Sequence, residues 1–553
     1  MVKTSALHKL WQLLIEEKKE ITSIYFYAIL SGLLQLSVPI GVQSIIGFVM
    51  GANMVTSIYV LICVIVLAVG IVGILQINQM KIIEKIQQKI FTKYAFAFSE
   101  VIPRLDLKKA NAYYLPEKIN RFFDTQILQK SVSKILLDIP TASIQIILGL
   151  LLLSLYHPLF IVFSFSLVFI LWLILKVTAK KGLVTSIQES DYKYAVAAWL
   201  EEMARVIQTF KFSQGSHLNL QKTDQNVYRY LSSKTAHFKV LVFQYKTIVI
   251  FKVAITTAML SVGTYLLLGQ QINIGEFIAA EIVILTIIGA IEKLISGLDN
   301  VYDVVTSLEK LASITESALE KDGPLELNTE NGVQIEFTNF SFEFEQSMPI
   351  LSDISLTIPP KSKVAIIGNE GAGKTTFLKI LSSNYTDFNG GLYLNNLPIS
   401  NYQFESLRKN TGIFLQEQAL FNGTLFENIA MGRKEVTHEK VISIAEKSGL
   451  KNFLNNLQMG FESVIDPLGA KLPRSTTKKI LLMRALVNQP SLLLLDDPIL
   501  GLEPEIAETF TNYLLSQLPE TTLLMTLHDE QLLALFDYEI TFINGNAQLK
   551  KLK

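Results

Sequence analysis

The stretch "VAIIGNEGAGKTTFLKIL", residues 364–381, decides how the second half of this 553-residue chain is read. An apolar run of β-type residues stops at Gly368. Gly371 and Gly373 follow, then Lys374, Thr375 and Thr376, and a helical pattern of apolar residues continues to Leu381. The spacing is that of a P-loop, G-x-x-x-x-G-K-[ST], with Asn369, Glu370 and Ala372 completing the loop. Glycines at these positions let backbone N–H groups curl around phosphate, and the helix that follows turns its positive end toward the same point. Lys374 then reaches the β- and γ-phosphates, and the Thr375 hydroxyl can hold Mg²⁺. A strand before the motif and a helix after it are the context that separates a working phosphate loop from a chance match.

A second stretch, "SLLLLDDP" at residues 491–498, supplies another part. Four leucines read as a buried strand, and Asp496 at its end can accept a hydrogen bond from a Mg²⁺-bound water. Around both motifs, from about residue 333 onward, short β-like runs alternate with helical stretches, the pattern of an α/β domain. A polar segment at 319–332 reads as the linker that precedes it.

The first half is of another kind. Half of all residues are hydrophobic, which points to membrane segments. Six apolar runs are long enough to cross a bilayer, near 22–50, 56–79, 133–156, 158–178, 247–269 and 274–298. Residues 1–20 are polar and charged, so the first run is read as a span and not as a cleaved signal. Net charge is zero, which gives no ground for a nucleic-acid partner. Cys63, the single cysteine, can form no internal disulfide and is expected to be a small buried apolar residue.

The connections alternate in length. Short turns near 50–54, 156–158 and 269–273 carry no Lys or Arg, whereas those near 80–132 and 179–246 are long and charged. The positive-inside rule puts the long connections and both chain ends in the cytoplasm. Their helical spacing predicts stalks that continue the spans beyond the bilayer. Pro39 predicts a kink in the first span, and Pro140 lies near the start of the third. Lys252 and Asp138 lie at the cytoplasmic side, where they can snorkel or pair. Glu281 sits inside the sixth run, as a candidate functional carboxylate or an interhelical hydrogen-bond partner.

The order of motifs resembles the ATP-binding domain of ABC transporters. "IFLQEQALFNGTLFENI" is similar to the family's Q-loop region and "TLLMTLHDEQ" to its switch-histidine strand. The resemblance implies Gln416 as a Mg²⁺ and water ligand, His528 as the switch, and Phe344 as the aromatic that stacks on adenine. "ILGLEPE" matches the D-loop, with Glu503 in place of the usual aspartate. Six spans followed by one ATPase domain resemble an ABC exporter half-transporter, and "INIGEFIAAEIVI" resembles bacterial type I secretion exporters. The implied architecture is an all-α six-helix transmembrane domain with long cytoplasmic helices over 1–318, then an α/β P-loop ABC nucleotide-binding domain over 333–553. The implied cofactors are ATP and Mg²⁺. The implied setting is a bacterial inner membrane with the ATPase domain in the cytoplasm. A second half-transporter would complete it as a homodimer or heterodimer, with a membrane-fusion adaptor and an outer-membrane channel as further partners. Helices near 106–116 and 205–214 would transmit motion. No peptidase-like stretch precedes the first span, which argues against leader cleavage, and the fusion of spans to ATPase argues against an importer.

Two places depart from the family. Its signature, usually LSGGQ, reads Leu472, Pro473, Arg474, Ser475, Thr476. Proline offers neither hydroxyl nor N–H, although it suits a first helical turn. Arg474 adds bulk where backbone should approach phosphate, together with a charge that attracts it. Asp497 stands where a catalytic glutamate is expected and is shorter by one methylene. In the family each ATP lies between the P-loop of one chain and the signature of the other. Asp497 therefore affects the chain's own site and 472–476 the partner's. Two readings stay open: an exporter with slow or partner-dependent hydrolysis, or a nucleotide-binding subunit without turnover. Polypeptide cargo is the first expectation and lipid or drug the second.

Overall fold

The computed structural model describes residues 6–51, 55–110, 115–213, 216–344, 349–455, 457 and 459–553. The chain forms two compact units, Met1–Pro103 with Tyr113–Ser317, and Arg104–Ala112 with Ala318–Lys553.

The first unit is helical. Its elements are α1 (Ala6–Glu16), α2 (Lys18–Gln35), α3 (Ser37–Met50) and α4 (Val55–Val101), then, past the short α5 (Leu107–Ala110) of the second unit, α6 (Leu115–Ile119), α7 (Asp124–Tyr156), α8 (Leu159–Arg205), α9 (Ile207–Phe212), α10 (Leu218–Leu268) and α11 (Ile274–Thr315). α11 packs along α7, α10 along α8, and α2 against α4 and α7. Two apolar cores result, one around Ile146, Phe251 and Ile287, the other around Ile24, Leu128 and Leu308. α11 starts at a capping box in which the Asn273 side chain accepts the Glu276 N–H and the Glu276 carboxylate accepts the Asn273 N–H.

Among the described residues five helical stretches are long and apolar enough to cross a membrane: Lys18–Met50, Thr56–Arg104, Leu115–Tyr156, Leu218–Leu268 and Ile274–Thr315. The expected span at 158–178 falls within α8, where several side chains lie outside the described residues. Outward-facing side chains on α4, such as Val64, Leu67 and Ile74, are as apolar as the inward-facing Ala68, Val72 and Leu75. A helix apolar on every side is solvated by lipid. Cys63 is corrected by the same geometry: it is exposed, on the outer face of α4. The hydrocarbon around the helix does what a protein core was expected to do. The first span breaks at Leu36, ahead of Pro39, because the proline ring clashes with the carbonyl one turn earlier. Pro140 is accommodated inside α7. Lys252 pairs with Glu292 on α11. Of the expected turns and transmission helices, residues 52–54, 111–114 and 214 lie outside the described residues.

The second unit begins with β1 (Ile335–Phe342), β2 (Leu351–Ile358), β3 (Lys363–Gly368), α12 (Lys374–Leu381), β4 (Asn389–Leu394), β5 (Leu397–Pro398), α13 (Phe404–Asn410) and β6 (Thr411–Phe414). It continues through β7 (Gly423–Thr424), α14 (Leu425–Ala430), α15 (His438–Lys447), α16 (Asn452–Asn455), β8 (Val464–Ile465), α17 (Arg474–Leu486) and β9 (Leu492–Leu495). α18 (Pro504–Ser516), β10 (Thr522–Thr526), β11 (Tyr538–Ile543) and β12 (Asn546–Lys551) complete it. Six strands form one sheet in the order β12-β11-β3-β10-β9-β6, and β2-β1-β4-β5 form an antiparallel second sheet. β3, β6, β9, β10 and β11 run parallel, so their carboxyl ends share one edge. β9 is four buried leucines, as expected of a central strand covered on both faces. The register pairs Ile366 with Thr526 and Leu495 with Met525, which brings the ends of β3, β10 and β9 side by side. Ligands of open α/β sheets bind at such an edge.

Candidate functional site

The loop that leaves β3 turns through three glycines in left-handed or related conformations, Gly368 at φ 143°, Gly371 at 79° and Gly373 at 99°. At Gly373 a Cβ would lie 2.7 Å from Leu351 Cδ2, so both the angle and the space require glycine. A Cβ at Gly371 would meet nothing within 4 Å, so that glycine borders open space. Asn369, Glu370 and Gly371 are exposed, and Ala372 N–H donates to the Asn369 carbonyl at 3.2 Å. α12 starts at Lys374, with its first N–H groups at the mouth of the loop. Lys374 Nζ donates to the carbonyls of Gly368 at 2.6 Å and Asn369 at 3.0 Å, beneath the loop. Thr376 follows in the first turn. The cradle and its donors fit a nucleotide phosphate chain.

The acidic end of β9 closes on this loop. Thr375 Oγ1 donates to Asp496 Oδ2 at 2.8 Å, which joins the two expected Mg²⁺ ligands directly. Burial, and then the neighbouring Asp497, push the Asp496 carboxyl above its ordinary pKa, partly opposed by the hydroxyl of Thr375. A divalent cation would relieve that cost, so the oxygen donors fit Mg²⁺.

Asp497 is a hub. Its Oδ2 accepts from Gln416 Nε2 at 3.0 Å, and its Oδ1 lies 3.1 Å from His528 Nε2 and accepts from Thr526 Oγ1 at 2.8 Å. Thr526 Oγ1 also accepts the Asp497 N–H at 2.5 Å. Gln416 comes from the segment after β6, His528 from the segment after β10, and Asp497 follows β9. Asp497 holds a left-handed φ of 48°, which short polar side chains tolerate best. Three expected residues, Gln416, Asp497 and His528, thus meet around one carboxylate.

Phe344 packs edge-on against Phe342 and Tyr385, with ring centroids 5.1 and 5.3 Å away. Lys108 on α5 lies over the other ring of that cluster, 5.2 Å from the centre of Phe342, and donates to the Asp387 carbonyl at 3.0 Å.

The signature segment lies elsewhere. Among the described residues no hydrogen bond or ion pair joins 472–476 to the P-loop. Pro473 is the N-cap of α17, one position ahead of the first turn, and Arg474 begins the helix. Arg474 is exposed, Ser475 half-buried and Thr476 buried, while Leu472 packs on the core. Arg474 is therefore the side chain at the tip.

Two functional candidates escaped the sequence reading. Thr526 ties both acidic residues, and only the β9–β10 register reveals it. Lys478 on α17 donates from Nζ to the carbonyls of Asp497 at 2.7 Å and Leu500 at 2.5 Å. Burial pushes its pKa down to about 8, and the nearby Asp497 and Asp496 oppose that shift. Its neighbour Lys479 pairs at 3.0 Å with Glu503, whose pKa is held low by its own backbone N–H and then by Lys479. The pair of adjacent lysines in "TTKKI" was the available signal.

A phosphate-type loop beside the acidic end of β9, on one edge of a parallel sheet, is the arrangement of an ABC-type nucleotide-binding domain. Residues 351–500 match the model of the ABC transporter family, and the chain carries that domain fused to an N-terminal, multi-pass membrane region. The chain is similar to the mitochondrial iron-sulfur clusters transporter ATM1 of Gibberella zeae, 27% identical over 301 residues, 53% of this chain and 43% of that one. It is similar to a probable ABC transporter ATP-binding/permease protein of Haemophilus influenzae, 26% identical, with 61% of each chain covered. It is also similar to the alpha-hemolysin translocation ATP-binding protein HlyB of Escherichia coli O157:H7, 26% identical over 56% of this chain and 44% of that one. The chain thus spans about half the length of the curated relatives it matches. The solved structure of a bacterial Atm1-family ABC exporter with ATP bound superposes with a TM-score of 0.85 at 16% identity, over 97% of this chain and 95% of that one. The fold is that of an ABC exporter half-transporter.

Proposed function

We propose that the chain is one half of a dimeric exporter that hydrolyses ATP to drive alternating access of its membrane unit, with the ATPase unit in the cytoplasm of a bacterial cell. The observation that carries this reading is the hub at Asp497, where Gln416, Thr526 and His528 converge beside the P-loop. An inert nucleotide cradle needs no such convergence. Lys374 and the N-terminal N–H groups of α12 hold the phosphates, and Phe344 stacks on the base. Thr375, Asp496 and Gln416 hold Mg²⁺, which when bound neutralises charge on the transferred phosphoryl group. Asp497 orients the attacking water and accepts its proton, and His528 at 3.1 Å steadies that carboxylate. Residues 472–476 serve the partner's nucleotide, where the Arg474 guanidinium supplies a phosphate donor in place of two glycine amides.

The test is Mg²⁺-dependent ATPase activity of the chain in lipid nanodiscs, against Lys374→Ala. Activity lost in the variant is expected, and equal rates would remove the proposal for the homodimer. The rival reading, a nucleotide-binding subunit without turnover, rests on the altered signature together with Asp497. It predicts that activity appears only when Pro473→Ser, Arg474→Gly, Ser475→Gly, Thr476→Gln and Asp497→Glu are combined. The relatives point to two classes of cargo. The relative named for alpha-hemolysin translocation favours a polypeptide cargo, whereas the one named for iron-sulfur clusters favours another class, and the two matches are of similar extent.

A further inference from the structure

Asp497 follows β9, and its left-handed backbone, φ 48°, is one that residues other than glycine adopt rarely. Such a residue keeps its shape only where its surroundings fix it from several sides. The turn itself offers little help. Within 497–502 one backbone–backbone hydrogen bond is made among the described residues, from the Leu502 N–H to the Ile499 carbonyl at 3.0 Å. Pro498 has no N–H to give. The Asp497 N–H goes to Thr526 Oγ1, and its carboxylate meets Gln416, Thr526 and His528. Its carbonyl is taken by one group among the described residues, the Lys478 ammonium at 2.7 Å.

Lys478 reaches that point from α17. The same Nζ donates to the Leu500 carbonyl at 2.5 Å, so one ammonium closes both ends of the turn from Asp497 to Leu500. The ring of Phe414, at the end of β6, lies 5.4 Å from the ammonium and offers it an aromatic face. The next residue, Lys479, holds Glu503 at 3.0 Å. The helix thus ties the segment 497–503 to itself through both lysines. The tie matters more for an aspartate than for a glutamate. An aspartate carboxylate is one rotatable bond nearer the backbone, so the place of the Asp497 oxygens follows the main chain closely.

We infer that Lys478 is a positioning residue for the hydrolytic step: its ammonium staples the turn from Asp497 to Leu500 and so fixes the main chain from which the Asp497 carboxylate addresses the attacking water. It acts through Asp497 and supplies no group to the nucleotide. Loss of the staple therefore slows the chemical step and leaves nucleotide affinity as it was, because a misplaced reacting group lowers kcat and not ground-state binding. The inference rests on the reading of Asp497 as the group that orients water.

The test compares the full chain in nanodiscs with Lys478→Met, which keeps the apolar stem and loses every donor, and with Lys478→Arg, which keeps the charge and has N–H groups for two carbonyls. Steady-state Mg²⁺-ATPase kinetics should show kcat lower by about tenfold or more in the methionine variant, with KM within about twofold of the parent, and most of the rate restored by arginine. Hydrogen exchange without nucleotide gives an independent reading. The Asp497 and Leu502 amides, both hydrogen-bonded in the parent, should exchange about tenfold faster or more in the methionine variant, with the rest of the sheet unchanged. Parental kcat in the methionine variant, a rise in KM in place of a fall in kcat, equal loss in both variants, or fast exchange spread over the whole ATPase unit would each overturn the inference. A parent without ATPase activity would remove the hydrolytic reading alone, and the staple would then stand or fall with the exchange at Asp497 and Leu502.

Discussion

Thr526→Val tests the hub at its least visible point. Valine keeps the shape of threonine and removes one hydroxyl from a side chain with no solvent exposure. In the parent that oxygen accepts the Asp497 N–H at 2.5 Å and sends its single proton to Asp497 Oδ1, at 2.8 Å, in preference to Asp496 Oδ1, at 3.2 Å. The lost hydrogen bond to a carboxylate is worth about 1.5–3 kcal/mol, and the stranded N–H costs about 1–3 kcal/mol. The two losses share one atom, so a joint cost of about 3 kcal/mol is expected. For a domain of this size that lowers Tm by about 6–12 °C. The assay is thermal unfolding of the full chain in nanodiscs, read by near-UV circular dichroism of the ATPase transition. Thr526→Ser, which keeps the oxygen, should recover most of the loss. A valine variant that melts within about 1 °C of the parent, or a serine variant that falls as far, would refute the assignment of Thr526 as the tie between the two acids.

Mg²⁺-dependent ATP binding should weaken as pH falls, because the Asp496 pKa is raised and the proton must leave before the metal binds. The sign is opposite for the nucleotide-free fold, where a raised carboxyl pKa favours the protonated form and stability declines as pH rises through it. Calorimetry across pH 4–8 should find proton release on binding, and a pH-independent affinity would contradict it. In Lys478→Met the gain in stability with rising pH between about 8 and the ordinary lysine range should vanish, since the folded parent sheds that proton at about 8 before the unfolded chain does. Comparing Tm of parent and variant over that interval measures the effect, and parallel curves would remove the buried-lysine argument. Gly373→Ala should abolish ATP binding, by filter or calorimetric assay, through strain at φ 99° and the Cβ contact with Leu351. Retained affinity would mean that the loop relaxes at little cost.

The fold was legible where one chemistry repeats over many residues. Runs such as 56–79 announce a membrane helix because lipid demands apolar side chains on every face, and the glycine spacing from Gly368 to Gly373 announces a phosphate loop because few other residues take those angles. Asp496 could be read for its place after four leucines. Thr526 and Lys478 could not, since their partners lie 29 to 30 and 19 to 22 residues away and meet them only through strand order and helix packing. Cys63 was misjudged because "apolar" was equated with "interior", a rule that fails where the solvent is itself apolar.

The adjacent lysines on α17 carry a consequence for timing. In the proposed dimer the helix tip would face one nucleotide, while Lys478 and Lys479, one turn further on, hold the carbonyls of Asp497 and Leu500 and the carboxylate of Glu503. In the proposed dimer a displacement of the tip would therefore be felt at the acid that acts on the other nucleotide. The two sites would be wired in series, each half-cycle setting the readiness of the next, and a chain altered at its tip would send that signal as much as it lacks the means to stabilise phosphate.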